Sequence, residues 1–198
     1  MSVTIAKNAG FCFGVKRATD RLERAFEERR QGERIYTLGI IIHNGTYNAM
    51  LAEKGIMTTS MEEIDDIARS ACKDSPVTVF IRAHGIPDED EKKLLSLSRK
   101  NEFFRIEDCT CPYVKKIHKI ASENSKAENA FFLLGAAEHP EVVGIMSYFD
   151  YEKLTFNSAD ELLALAEQGY FVKINNKTPV LASQTTQNLT EWKKAKKF

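Results

Sequence analysis

An internal repeat constrains the fold of this 198-residue chain more than any other feature of its sequence. Two short motifs, Cys-x-x-Val-Lys-basic and Leu-Gly-x-x-x-His, each occur twice, in the same order and at nearly the same separation. Their copies lie at 12–17 and 111–116, and at 38–43 and 134–139. A looser third pair matches V-F-I-R-A-H-G (79–85) with P-V-L-A-S-Q-T (179–185), which places His84 opposite Gln184. Repetition of this kind predicts a duplicated structural unit.

Short apolar runs alternate with amphipathic stretches along the chain. Strands are predicted at 3–6, 34–39, 77–83, 103–107, 130–135, 153–156, 170–174 and 179–183. Helices are predicted at 15–29, 44–54, 60–70, 88–99, 112–125, 141–148, 158–168 and 189–198. Strand–helix alternation is typical of α/β proteins with mainly parallel sheets. We therefore expect two repeated parallel-sheet α/β units, at residues 1–108 and 109–198.

Charge and composition narrow the possible functions. Lys plus Arg and Asp plus Glu are both 28, so the formal net charge is zero. Proteins that bind nucleic acid or membrane surfaces usually carry a basic excess, so we expect neither partner. No apolar run has the length of a signal peptide or a membrane span, which predicts a cytoplasmic protein. The four cysteines are then expected to be reduced thiols or metal ligands rather than disulfides.

Residues with chemically active side chains follow the predicted strands of both copies. They are Cys12, His43 and His84 in the first copy, and Cys111, His139 and Thr185 in the second. In parallel sheets, ligands bind outside the carboxyl ends of the strands. Two copies related by a pseudo-symmetry axis would direct both sets at one central site.

Cys12 and Cys111 each stand just before a predicted helix, where the helix dipole favours the thiolate. Thiolates bind soft metals and iron–sulfur clusters, and the equivalent positions of the two residues favour a ligand role over a half-buried structural one. Cys109 has no counterpart in the first copy and is interpreted as a bystander. Cys72 is interpreted as a cysteine in a loop or at a helix end.

The histidines that follow strands and open helices stand where phosphates bind. Beside His139, Pro140 suits the first turn of a helix, and Glu141 either transfers protons or complements the helix dipole. Thr185 offers a hydroxyl at a strand end, or else caps a helix. His118 falls inside a predicted helix and is interpreted as an ordinary surface or core residue.

Six motifs in order carry a resemblance that covers essentially the whole chain. They are GFCFGVKRA, IIHN, AHGIP, TCPYVKKIH, EHPEVVGI and SQTT. Together they resemble the LytB/IspH family of 4-hydroxy-3-methylbut-2-enyl diphosphate reductases. This resemblance implies reductive removal of an allylic hydroxyl as water, which gives isopentenyl and dimethylallyl diphosphate in the last step of the non-mevalonate isoprenoid pathway.

The resemblance also implies a cofactor, partners and residue roles. The family binds a [4Fe–4S] cluster through three cysteines, and Cys12 and Cys111 match two of them. Three histidines would hold the diphosphate and orient the hydroxyl, namely His43, His84 and His139. Glu141 would relay protons to the bound substrate, and Thr185 would bind that substrate. The implied electron donor is ferredoxin or flavodoxin.

The family is built from three similar α/β units arranged with pseudo-threefold symmetry, and this sequence contains two. The third cysteine and part of the diphosphate pocket belong to the third unit. We therefore expect a C-terminally truncated chain. The alternatives are a shortened relative that holds zinc or another soft metal through Cys12, Cys109 and Cys111, and a phosphate-binding α/β protein with inert cysteines.

Overall fold

The computed structural model describes residues 3, 4, 6, 9–42 and 44–197. Contacts divide the chain into two units, each of which is discontinuous in sequence. Unit 1 comprises Met1–Ala83 and Leu97–Cys111, and unit 2 comprises His84–Ser96 and Pro112–Phe198. Among the described residues, no helix has the length and apolar character needed to cross a bilayer.

Unit 1 is a parallel four-stranded sheet with the strand order β2-β1-β3-β4. Its strands are β1 (Arg34–Leu38), β2 (Met57–Thr59), β3 (Val77–Ile81) and β4 (Phe104–Asp108). Its helices are α1 (Phe13–Glu27), α2 (Gly45–Glu53), α3 (Ile64–Ser70) and the last turn of α4 (Asp88–Lys100). All three strand pairings are parallel, as the alternation of strands and helices predicts.

The core of unit 1 lies between the sheet and α1. Ala18 and Leu22 are fully buried on one face of α1 and pack with Ile35 of β1 and Phe80 of β3. Every residue of β3 is buried, as expected for a central strand of a parallel sheet with both faces covered.

Unit 2 is a parallel three-stranded sheet with the strand order β6-β5-β7. Its strands are β5 (Asn129–Leu134), β6 (Glu152–Phe156) and β7 (Thr178–Ser183). Its helices are the first part of α4, α5 (Pro112–Glu123), α6 (Pro140–Ser147), α7 (Ala159–Glu167), α8 (Tyr170–Lys173) and α9 (Leu189–Ala195).

Strand β5 supplies apolar side chains to two cores, because successive residues of a strand point to opposite faces. Phe131 and Leu133 pack into the core that includes Val142 of α6. Phe132 and Leu134 pack into the core that includes Leu162 of α7. Burial on both faces explains why 130–135 reads as a continuous apolar run.

Strand register corrects one part of the predicted repeat. Ile81 lies opposite Leu38 in unit 1, and Ser183 lies opposite the equivalent Leu134 in unit 2. Thr186, and not Gln184, therefore stands at the position that corresponds to His84. The third motif pair had the weakest sequence match of the three. The registers of β3 with β1 and of β7 with β5 show which residues correspond.

The prediction of a strand at 170–174 is wrong, because Tyr170–Lys173 forms the short helix α8. Gly169, with φ 77°, ends α7 and turns the chain. A short apolar run does not distinguish a strand from a helix. The helical turn directs Tyr170, Phe171 and Ile174 against the same core.

Two further differences concern strands of unit 1. Val3, Thr4 and Ala6 are not in a strand, and Ile5 lies outside the described residues, so the prediction at 3–6 is wrong for the part that the structure describes. The short strand β2 was not predicted. It has only three residues, two of them exposed, and so lacks an apolar signal.

Candidate functional site

Cys12 stands at the N-terminal end of α1 in unit 1. It is exposed and occupies the N-cap position with φ −61° and ψ 162°, and its side chain makes no capping hydrogen bond. The first turn of α1 contains no acidic residue. The thiol is therefore accessible at the positive end of a helix.

Cys111 packs against the first turn of the same helix. Its backbone N–H donates to the carbonyl of Ala83 at 2.9 Å, which extends the pairing of the chain beyond β4. A Cβ placed on Gly14 would lie 2.7 Å from the Cys111 Sγ, so only glycine leaves room for this sulfur. Gly14 lies two positions after Cys12. The fold thus brings Cys111 to the helix turn that Cys12 begins, although the two are far apart in sequence.

Cys109 belongs to the core of unit 1 and is 0% exposed. Burial raises the pKa of its thiol to about 11, although Arg21 and Arg17 act in the opposite direction. The bystander interpretation agrees with this position, and a zinc site that includes Cys109 does not. Cys72 is exposed just after α3, in a bridge with Ser75, as the sequence suggested.

Within the described part of the chain, no three or more His, Cys, Asp and Glu side chains are arranged to hold a metal ion. Cys12 and Cys111 supply the soft donor type that an iron–sulfur cluster requires, and Gly14 makes space for one of the two sulfurs. Clusters normally take three or four such ligands. The described residues therefore fit one part of a cluster site.

Unit 2 brings two of the predicted histidines together. The rings of His84 and His139 lie 5.4 Å apart, centroid to centroid, with 84° between their planes. His84 follows β3 in sequence, and His139 lies between β5 and α6. The two are 55 residues apart in sequence, so this pairing depends on the fold.

His139 caps α6, and this hydrogen bond orients its ring. Its Nδ1 accepts from the backbone N–H of Glu141 at 3.1 Å, and Pro140 occupies the first turn as predicted. A neutral imidazole that accepts at Nδ1 carries its proton on Nε2. The Nε2–H is then the group available to donate to an anionic ligand.

Glu141 is almost completely buried, with 2% of its surface exposed. Its Oε1 accepts from the backbone N–H of Thr185 at 2.6 Å, and its Oε2 accepts from the Thr185 hydroxyl at 2.8 Å. Both oxygens of the carboxylate are therefore bonded to one residue at the end of β7. Thr185 thus holds the glutamate, and Asn188 caps the helix that follows.

Close packing at the ends of β5 and β7 supports this arrangement. A Cβ on Gly135 would lie 2.8 Å from Val142 and 3.0 Å from the Cβ of Gln184, so glycine permits α6 to approach the strand ends. Gln184 is buried and accepts from the backbone N–H of Ala136 at 3.4 Å. It has a structural role beside the site.

The remaining histidines differ in how far the structure describes them. His43 lies outside the described residues. His118 is buried and stacks on Tyr148, with ring centroids 4.2 Å apart, in agreement with a core role. Unit 1 thus contains Cys12 and Cys111, and unit 2 contains the group formed by His84, His139, Glu141 and Thr185, which we call the His–Glu–Thr group.

Sequence reasoning missed Gly14 as a determinant of the cysteine pair. Its signal was a glycine at the beginning of an amphipathic helix, which often marks a close approach of another chain segment. The partner in that approach, Cys111, is far away in sequence, so the sequence alone does not identify it.

Comparisons with known proteins show what this chain is similar to. The model of the family described as LytB protein matches residues 3–198. A 4-hydroxy-3-methylbut-2-enyl diphosphate reductase of Clostridioides difficile (strain 630) is 37% identical over 188 residues, which cover 95% of this chain and 60% of the relative. A reductase of the same name from Nitratidesulfovibrio vulgaris (strain DP4) is 36% identical over 206 residues, which cover 99% of this chain and 63% of the relative.

Two solved structures share the fold. A structure of (E)-4-hydroxy-3-methyl-but-2-enyl diphosphate reductase, described as the terminal enzyme of the non-mevalonate pathway, matches with a TM-score of 0.70 and 30% identity. The match covers 98% of this chain and 61% of that one. The corresponding reductase of Plasmodium falciparum matches with a TM-score of 0.73 at 22% identity and covers 96% of this chain and 55% of that one, which shows similarity of fold alone. The chain thus spans about 60% of the length of the relatives it matches.

Proposed function

This chain belongs to the LytB protein family, and we propose that it takes part in the reductive dehydroxylation of 4-hydroxy-3-methylbut-2-enyl diphosphate to isopentenyl and dimethylallyl diphosphate. In this reaction the bond between the allylic carbon and its hydroxyl oxygen breaks, and the oxygen leaves as water. Two electrons and two protons are consumed. The observation that carries the proposal is the His–Glu–Thr group, in which a buried carboxylate accepts two hydrogen bonds from Thr185, and the N–H of the same glutamate donates to His139, whose ring contacts His84.

We assign diphosphate binding to the histidines. His139 stands at the start of α6, where backbone N–H groups and the helix dipole favour an anion, and its Nε2–H is free of the capping bond made by Nδ1. His84 lies beside it at the distance given above. His43 receives the same role from the family resemblance alone.

We assign proton transfer to Glu141. The carboxylate is within the first turn of α6, next to His139, and is shielded from bulk water. The Thr185 hydroxyl and N–H hold both oxygens in place, so a proton on the carboxyl group is delivered from a defined position. The receiving atom is the hydroxyl oxygen of the substrate, which departs as water.

We propose that Cys12 and Cys111 are two ligands of a [4Fe–4S] cluster. Such a cluster, when bound, supplies electron transfer and a Lewis-acidic iron. The contribution of this chain is an exposed thiol at the start of α1 and a second thiol seated over Gly14. The electrons come from an external protein donor of the ferredoxin or flavodoxin type.

The first test of the proposal replaces Glu141 and measures turnover. The protein is reconstituted anaerobically with iron and sulfide, reduced, and assayed with 4-hydroxy-3-methylbut-2-enyl diphosphate. Glu141→Gln is expected to lose about 100-fold or more in turnover while still binding the substrate, because general acid catalysis contributes on this scale. The exposed Glu138, which lies in the same loop, provides the matched control Glu138→Gln, which is expected to retain activity. Equal turnover of both variants would contradict the assigned role.

The cluster assignment has its own measurement. Iron and acid-labile sulfide per chain are determined after reconstitution of the wild type and of three Cys→Ser variants. Replacement of Cys12 or Cys111 is expected to abolish cluster binding, whereas replacement of the exposed Cys72 leaves it unchanged. A colourless wild-type protein with one zinc per chain would instead favour a soft-metal protein without redox chemistry.

A further inference from the structure

Helix α6 has two functional ends. Its N-terminal end carries His139 and Glu141 of the His–Glu–Thr group. Its C-terminal part contacts the segment 84–88, which connects β3 to α4 and carries His84. One helix of unit 2 therefore carries His139 at its N-terminal end and contacts the segment that carries His84 near its C-terminal end. These C-terminal contacts are not used in the chemistry proposed above.

Ser147, the last residue of α6, holds the end of the segment. Its Oγ accepts from the backbone N–H of Asp88 at 2.8 Å and donates to the carbonyl of Gly144 at 2.6 Å. The Ser147 hydroxyl proton is thus used in a hydrogen bond within α6, and an oxygen lone pair accepts from Asp88. Asp88 is the first residue of α4, so its N–H has no acceptor within its own helix.

Tyr148, the next residue, makes a second attachment. Its hydroxyl donates to Oε2 of Glu91 in α4 at 2.8 Å and lies 3.4 Å from the carbonyl oxygen of Ile86. Its ring stacks on His118 of α5, which fixes the plane of the phenol. The tyrosine therefore links α6 to both the segment and the helix that follows it.

Gly85 forms a turn between His84 and these attachments. It lies between His84 and Ile86 with φ 75°, a conformation that other residues rarely adopt. The chain before His84 is held by strand pairing, since the Ala83 carbonyl accepts from the N–H of Cys111, and Gly85, with the largest backbone freedom of any residue, is the flexible position after it. Contacts just beyond Gly85, at Ile86, Asp88 and Glu91, hold the chain on that side.

We propose that Ser147 and Tyr148 are positioning residues that set His84 in place beside His139. The inference rests on the proposed function in one respect, the assignment of the two histidines to diphosphate binding. The bonds of Ser147 and Tyr148 described above reach the segment 84–88 and Glu91 of α4. They act through the backbone of the segment 84–88.

The experiment compares Tyr148→Phe and Ser147→Ala in the full chain with two matched controls. Tyr148→Phe removes the hydroxyl but keeps the ring that stacks on His118. Tyr170→Phe removes an equivalent phenol bond, to Glu152 at 2.6 Å, away from the histidines. Ser125→Ala removes an equivalent acceptor, for the N–H of Asp150 at 2.9 Å.

The first readout is nuclear magnetic resonance of the four histidine side chains, which needs neither cluster nor turnover. Both test variants are expected to shift the ring resonances of His84 and to weaken its nuclear Overhauser contact with His139. The His118 resonances are expected to remain in place in Ser147→Ala. The two controls leave His84 unchanged, and Ser147→Thr, which keeps the acceptor oxygen, restores the wild-type His84 signals.

The second readout is the dissociation constant for inorganic pyrophosphate, measured by calorimetry. In the double variant, which combines Ser147→Ala with Tyr148→Phe, we expect binding to weaken about fivefold or more, as for the loss of one or two hydrogen bonds. In the controls we expect it to weaken less than twofold. Unchanged His84 resonances in a folded double variant would overturn the positioning role. If Tyr148→Phe does not fold, Ser147→Ala and Ser147→Thr decide it.

The two proposals fail in different ways. If the wild-type protein does not bind pyrophosphate, the assignment of the histidines to diphosphate is contradicted. The His84 resonances still decide whether Ser147 and Tyr148 position that residue.

Discussion

Thr185 binds both carboxylate oxygens of Glu141, one through its backbone N–H at 2.6 Å and the other through its hydroxyl at 2.8 Å. The pair connects the end of β7 to the first turn of α6. A carboxylate with 2% exposure has little water to solvate it, so these two bonds take the place of hydrogen bonds to water. The hydroxyl can be removed without disturbing the backbone bond, which makes its contribution measurable.

Thr185→Val is expected to destabilise the protein by about 1–2 kcal/mol, because a buried carboxylate loses a charge-assisted hydrogen bond. Thr185→Ser keeps the hydroxyl and is expected to remain within about 0.5 kcal/mol of the wild type. Urea unfolding at neutral pH measures both. A loss in Thr185→Ser with none in Thr185→Val would show that the methyl group, and not the hydroxyl, matters.

Gly14→Ala is expected to displace Cys111, since the added Cβ would lie 2.7 Å from the Cys111 Sγ. Alanine favours helices over glycine by about 1 kcal/mol, so the loss is predicted in cluster content and not in helix formation. Gly45→Ala, with nothing within 4 Å of the added atom, is the control. Iron and sulfide per chain after reconstitution should fall only in Gly14→Ala, and full iron content there would contradict the packing argument.

Glu191 is expected to make stability depend on pH. The N–H of Ala159, and secondarily Lys194, lower the pKa of this carboxylate below its ordinary value of 4.5. A lowered pKa gives stability that is fully present above about pH 4.5 and is lost as the pH falls through the folded-state value.

Glu191→Gln should therefore lower the melting temperature slightly at pH 7, and this deficit should shrink as the pH falls from 5 towards 3. Glu167→Gln, at the exposed end of α7, should show no such trend. Thermal unfolding followed by circular dichroism checks both variants. A deficit that stays constant with pH would argue against a role of the charge.

Self-association is expected at the outer edge of β7. In unit 1 the strand β4 covers the corresponding edge of β3, whereas among the described residues β7 pairs with β5 alone. An apolar groove of about 570 Å³ lies beside it, lined by residues that include Ile117, Leu181, Leu189 and Trp192. Open strand edges next to apolar surface tend to pair with other chains.

Leu189 is 63% exposed in this groove, so Leu189→Lys should reduce association without unfolding the protein. Leu163→Lys, at an exposed position on α7, is the control. Sedimentation velocity over a range of concentrations measures the effect. A wild-type protein that stays monomeric at high concentration would contradict the prediction.

Much of the fold could be predicted because its signals are local. Central strands such as β3 and β5 are buried on both faces and are therefore apolar throughout, and α1 shows its buried face as a 3.6-residue period. The segment 170–174 shows the limit of such signals. Its apolar run suits a strand or a helix equally, and only the core against which Tyr170 and Phe171 pack decides between them.

The sequence by itself determined the parallel α/β class, the duplicated motifs and the residue types of the site. Motif recurrence and residue chemistry do not depend on where distant segments meet. The tertiary structure alone decided that Cys111 rests over Gly14, that Cys109 is in the core, and that Thr185 holds Glu141. It also brought Ser147 and Tyr148 to the segment that carries His84. Each of these features joins residues more than 35 positions apart in sequence or depends on which face of an element is buried. Tertiary packing determines which distant residues meet and which faces are buried.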